Sequence, residues 1–188
     1  KLFNRKIGLF FVAVAALYLD SIHLAKYFEY NQIVINIFMF MGFFWMYFRA
    51  VKRVRELMIY GVILGLLGEY FFSVYLGMYT YRLGNVPLYV PLGHAAIYAR
   101  VFMYSKAPIV RKHHKPLGKI MYIFISLFAF SYLIFLNDVF GFVMTLGVFV
   151  LLIKRPKDRM FFLTMYIIVA GLEIGGPAYG AWKWPDTA

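Results

Sequence analysis

The chain contains no cysteine. That absence excludes disulfides, thiol nucleophiles and thiolate metal sites. Acidic residues are scarce, eight against twenty Lys and Arg, and histidine occurs only four times. His113 and His114 sit in the basic run Arg111-Lys112-His113-His114-Lys115, which leaves His23 and His94, too few for a histidine-rich di-iron centre. A zinc site would need Asp20, His23, His94 and a glutamate together, since full sites take three or four ligands. The expectation is therefore no metal. A Ser- or Pro-rich linker and a low-complexity tail are also missing. No secretory signal is expected, because the first apolar block ends in Asp20-Ser21-Ile22-His23 rather than in a small-residue cleavage site.

What the chain has in excess is apolar surface. Hydrophobic residues make up 63% and mean hydropathy is +0.73, against about 45–50% apolar in soluble domains. The apolar material falls into seven blocks, 5–26, 32–50, 57–80, 87–105, 119–136, 138–154 and 159–182. Each is close to the length of about 20 residues that spans a bilayer as a helix. They lack period-two alternation and exceed barrel strands of about 9–11 residues, so helices are the backbone solution expected in lipid. The fold class predicted is all-α, an integral, multi-pass membrane protein of seven transmembrane helices in one domain, 1–188, in the plasma membrane or its equivalent.

The charge of +12 is uneven. Basic residues cluster before block one (Lys1, Arg5, Lys6), after block two (Arg49, Lys52, Arg53, Arg55), after block four (Lys106 to Lys119) and after block six (Lys154 to Arg159). The alternate loops hold only Lys26 and Arg82. The positive-inside rule then puts the N-terminus in the cytoplasm and the C-terminus outside. The same pattern assigns the basic charge to topology and anionic headgroups rather than to nucleic acid.

Against this background, two glutamates stand inside apolar blocks. Glu69 follows Gly68 in block three, and Glu173 follows Leu172 in block seven. A charged carboxylate at bilayer centre costs about 2.5–3.5 kcal/mol, so such residues mark function by default. A carboxylic acid kept neutral by its apolar surroundings can deliver its proton to an alkene or epoxide. Glu69 is the expected acid and Glu173 its partner acid or base. Gly61, Gly65 and Gly68 are expected to let a neighbouring helix approach closely. Gly175-Gly176-Pro177 should loosen or kink the helix after Glu173. In block four, Pro87 suits a first helical turn and Pro91 should bend it, and His94 is placed to relay protons to Glu69. Asp20 and His23, three apart, share one helical face as an ion pair or relay. Asp138 is the expected N-cap of block six.

Each glutamate leads to the same signature, Gly77-Met78-Tyr79-Thr80-Tyr81 after eight residues and Gly180-Ala181-Trp182-Lys183-Trp184 after seven. Tyr79, Tyr81, Tyr89, Trp182 and Trp184 are the expected substrate-lining residues, stacking on a polyene or attracting a carbocation. Blocks three and seven run in the same direction, which fits a 3+1+3 parallel repeat, halves 1–81 and 119–188 joined by a linker helix 87–105. The string Glu69, Gly77-Met78-Tyr79-Thr80-Tyr81, Pro87, Val90-Pro91-Leu92 resembles a pattern of membrane-integral carotenoid hydratases. Glu69-Tyr70-Phe71-Phe72 is similar to the acidic motif of seven-span lycopene cyclases, although Gly68 and Tyr70 replace a proline and a second acid. Small seven-span terpene cyclases are a looser analogue. These resemblances imply cofactor-free, acid-initiated cyclisation or hydration of a hydrophobic isoprenoid or carotenoid inside the lipid bilayer. Two other readings stay open: a transporter or binding protein for a small hydrophobic or protonatable ligand, and a structural subunit of a membrane complex. A retinal protein is disfavoured, since Lys183 lies at the outer end of block seven.

Overall fold

In the computed structural model residues 14–185 are described, and they are predominantly helical. Helix α1 is described over 14–19. There follow α2 (Ile22–Ala25), α3 (Asn31–Arg49) and α4 (Lys52–Glu69), the last continuing as a π-helical turn, Tyr70–Tyr75. Beyond them come β1 (Thr80–Tyr81), α5 (Tyr89–Ser105), α6 (Pro108–Lys112), α7 (His114–Leu136), α8 (Val139–Ile153), α9 (Arg159–Tyr179) and β2 (Trp182–Lys183). Four stretches are long and apolar enough to cross a membrane: Asn31–Arg49, Lys52–Tyr75, His114–Leu136 and Arg159–Tyr179. Large apolar side chains lie exposed on them, among them Phe38, Leu64 and Phe135, a surface suited to hydrocarbon rather than water.

The remaining blocks are shorter than the sequence suggests. Block six yields the 15-residue α8, about 22 Å long at 1.5 Å per residue. Block four yields the 17-residue α5. Block one is interrupted, because the Ser21 side chain accepts from the Leu24 N–H at 3.2 Å and starts α2 afresh. Asp20 and His23 therefore do not share one helix face. The part of block one before residue 14 lies outside the described residues.

The chain divides into two compact units, Lys1–Arg100 with Ala170–Ala188, and Val101–Val169. The proposed repeat halves do not coincide with them, since the end of α9 and β2 belong to the first unit.

In the first unit, a core of Leu17, Ile35, Tyr81, Tyr89, Ala181 and Trp182 joins the ends of several helices. Helix α4 meets α5 through glycine. A Cβ on Gly61 would come 2.8 Å from Ala95 Cα, and one on Gly65 would come 3.2 Å from His94 Nδ1. Gly68 faces open space, so two of the three glycines serve close approach. Pro91 is the third residue of α5, within the first turn whose N–H groups have no helical acceptor. It therefore imposes no bend there.

Both candidate motifs end their helices in the same way. Gly77 and Gly180 have φ of 62° and 68°, the left-handed conformation that glycine adopts without a Cβ penalty. After α9, Ala181 N–H donates to Gly176 O and Gly180 N–H to Pro177 O, each at 2.9 Å, which is a Schellman cap. Helix α9 thus continues through Gly175-Gly176-Pro177 to Tyr179 instead of breaking. The cap needs the carbonyls of Gly176 and Pro177, not the missing Pro177 N–H. After α4 the pattern is one residue wider: Met78 N–H donates to Phe72 O and Leu76 N–H to Phe71 O, both at 2.9 Å. The π-turn absorbs the extra residue, and this is why one glutamate-to-glycine spacing is eight and the other seven.

In the second unit, Ile125, Leu152 and Leu163 join α7, α8 and α9. The Thr145 and Tyr166 hydroxyls lie 2.7 Å apart. Asp138 caps α8 as expected, accepting from Gly141 N–H at 2.8 Å.

Candidate functional site

The site lies in the first unit, where the ends of α4 and α9 meet. Strands β1 and β2 pair antiparallel, with Thr80 opposite Lys183 and Tyr81 opposite Trp182. Only the central positions of the two motifs, Thr80 and Lys183, face each other; Tyr81 faces Trp182, the equivalent of Tyr79, so the ribbon has a local two-fold relation through Thr80 and Lys183. Strand alternation puts Tyr79, Tyr81, Trp182 and Trp184 on one face. Their rings touch edge to face: Tyr79 to Trp184 at 5.5 Å, Tyr79 to Tyr81 at 5.7 Å and Tyr81 to Trp182 at 6.1 Å between centroids.

Glu69 lies against this face and is 6% exposed. Its Oε2 accepts hydrogen bonds from the hydroxyls of Tyr79 and Tyr81, each at 2.6 Å. Its Oε1 faces His94 Nε2 at 3.5 Å, an ion pair when the imidazole is protonated. Burial first, and then the bond to Glu69, pushes the Tyr79 hydroxyl above the usual phenol range. Burial and the charge of Glu69 do the same to Tyr81. Both residues lie beyond the helical stretch Lys52–Tyr75, and both remain protonated donors.

Glu173 is exposed on α9, three residues before Gly176. Trp182 is fixed by glycine, its ring occupying the space over Gly176 where any Cβ would collide. Both glutamates stand six residues before the end of their helical stretches, Tyr75 and Tyr179, or about 9 Å along an α-helix. They are thus nearer the helix ends than the midpoints expected. The reason is that α4 starts earlier, at Lys52, and the glycine caps stop both helices before the aromatic residues.

Asp20 and Tyr89 belong to a neighbouring polar knot rather than to the glutamate pair. Asp20 is fully buried; its Oδ1 is 2.7 Å from Arg82 Nη2 and its Oδ2 accepts from the Tyr89 hydroxyl at 2.7 Å. Arg82 also donates to the Asp20 carbonyl at 3.0 Å and to Asn31 Oδ1 at 2.9 Å, while Asn31 donates to Leu19 O at 2.8 Å. His23 is exposed on α2. No group of three or more His, Asp or Glu side chains suited to a metal occurs among the described residues. Arg82 and Asn31 were not expected from the sequence to belong to a site. The signal was there, in that Arg82 is one of only two cations in the sparsely charged loops and directly follows Tyr81.

No known protein family, characterised protein or solved structure matches this chain.

Proposed function

We propose that the protein is an integral membrane enzyme of seven spans that protonates a hydrophobic isoprenoid or carotenoid at the Glu69–Glu173 site. In this reading the N-terminus is cytoplasmic and the C-terminus, with the site, lies toward the outer face. A carboxyl O–H bond breaks as the alkene π pair forms a new C–H bond, leaving a carboxylate and a carbocation. In hydration, water adds through its lone pair and returns a proton to the carboxylate. In cyclisation, an internal double bond attacks the cation and an adjacent C–H gives up its proton. Either route restores the acid, so no cofactor is consumed. Aromatic rings attract the intermediate cation, and His94 is placed to relay protons at Oε1 of Glu69.

The observation that carries this reading is the buried Glu69, held by the Tyr79 and Tyr81 hydroxyls against a face of four aromatic rings on the ribbon that pairs the two glutamate motifs. The short resemblance to carotenoid hydratases and cyclases points the same way. The test is incubation of the protein, reconstituted in liposomes, with a panel of linear isoprenoids and carotenoids, read by mass spectrometry and absorption. A product heavier by one water, or of unchanged mass with an altered spectrum, is expected from the native protein. The double variant Glu69→Gln with Glu173→Gln should give none. Turnover retained in that variant, or movement of an unchanged ligand across the vesicle without product, would sink the proposal.

A further inference from the structure

The two glutamates occupy equivalent places in the two motifs but have unlike surroundings. Glu69 is buried, and its Oε2 already accepts two phenol hydrogen bonds. A carboxylate oxygen offers about two lone-pair sites, so a proton on Glu69 would sit on Oε1, directed at His94. Glu173 is exposed. Its helix neighbours one turn away are Val169, Ala170, Gly176 and Pro177, small or apolar side chains that donate nothing to it. The Trp182 ring lies over Gly176, one turn beyond it. Pro177 has no N–H for the Glu173 carbonyl, which leaves a backbone acceptor next to the acid.

We infer that Glu173, rather than Glu69, is the carboxyl that gives its proton to the ligand, and that Glu69 is a positioning residue. Glu69 anchors Tyr79 and Tyr81, and through them the ribbon that holds Trp182 over Gly176 beside Glu173. In the step proposed above, the O–H that breaks is that of Glu173. This rests on the two-carboxylate reading of the site, but its first test does not need turnover.

Dicyclohexylcarbodiimide, which reacts with protonated carboxyls reachable from an apolar phase, is applied to the full-length protein in detergent and the adduct is mapped by peptide mass spectrometry. Labelling is expected at Glu173, lost in Glu173→Gln and retained in Glu69→Gln. Labelling at Glu69 alone, equal labelling of the two, or none at either overturns the assignment. Tyr81→Phe, which leaves both carboxyls in place, is the milder variant should Glu69→Gln fail to fold, and it too is expected to keep the label on Glu173. In turnover, Glu173→Gln is expected to lose all product. Glu69→Gln should keep residual product with the pH profile of the native enzyme; loss of all product there, with Glu173 still labelled, overturns the positioning role. If Glu173 alone is labelled and no isoprenoid is converted by any form, the donor assignment stands and the proposed reaction falls.

Discussion

At the scale of single residues, the site depends on phenols that cannot easily ionise. Tyr81 donates to Glu69 at 2.6 Å, and a hydrogen bond to a charged group contributes about 1.5–3 kcal/mol. Tyr81→Phe should cost about that much near pH 8, read from unfolding midpoints in detergent. The pH dependence follows from the raised phenol. In the unfolded chain the hydroxyl titrates from its ordinary 10.0, whereas in the fold it keeps its proton to higher pH. Unfolding therefore releases a proton above pH 10, and this contribution to stability is lost as pH rises from there, by about 1.4 kcal/mol per unit. Tyr81→Phe lacks that loss, so the gap between native and variant should narrow above pH 10; a gap that widens would contradict the assignment. The Asp20–Arg82 pair is a second residue-scale test. Asp20 has no exposure and Arg82 little, and removing one partner of such a pair typically costs about 3–5 kcal/mol. Arg82→Met should therefore destabilise strongly, while Lys26→Met, an exposed cation of the segment between α2 and α3, should change little.

At the scale of elements, the repeated glutamate and Gly-x-aromatic-x-aromatic string was legible, whereas the left-handed glycine that closes each helix came to light only in the fold. What the sequence hid was that the two copies pair with each other. Pairing is a long-range event between segments a hundred residues apart, and two-residue strands have too little length to show alternation. The π-turn was hidden for a related reason: it is recognised only against the regular copy, as one residue more between Glu69 and Gly77. Gly175-Gly176-Pro177, expected from composition to loosen or kink the helix, lie inside α9, where Gly176 makes a seat for Trp182. These points separate the two caps. An alanine in left-handed conformation costs roughly 1–2 kcal/mol. Gly77 has open space around it, whereas a Cβ on Gly180 would come 2.8 Å from Ile22 Cγ2. Gly77→Ala should cost only the backbone term, and Gly180→Ala that term plus displacement of Ile22. Thermal midpoints of the two variants, measured side by side, check the order.

At the scale of the whole molecule, helical fold class was legible from block length and composition, and span count less so. Where block edges carry strong stop signals, as at Asp138 and Lys154 around α8, the helix stops short of the apolar run and of the bilayer thickness. Seven crossings and their direction therefore rest on charge, and the chain offers a clean way to test them. It has no cysteine, so any introduced cysteine reports alone. Lys115 lies in the first turn of α7, at the end of the basic run, and Lys183 in β2, and both are exposed. If the positive-inside reading is right, Lys115→Cys in intact cells is protected from a membrane-impermeant maleimide and reacts only after permeabilisation. Lys183→Cys, at the same end as both glutamate motifs, reacts at once. The reverse pattern would invert the topology and turn the site toward the cytoplasm. Equal reaction at both positions would require an even number of crossings between them, and would end the proposal of three further spans after α5.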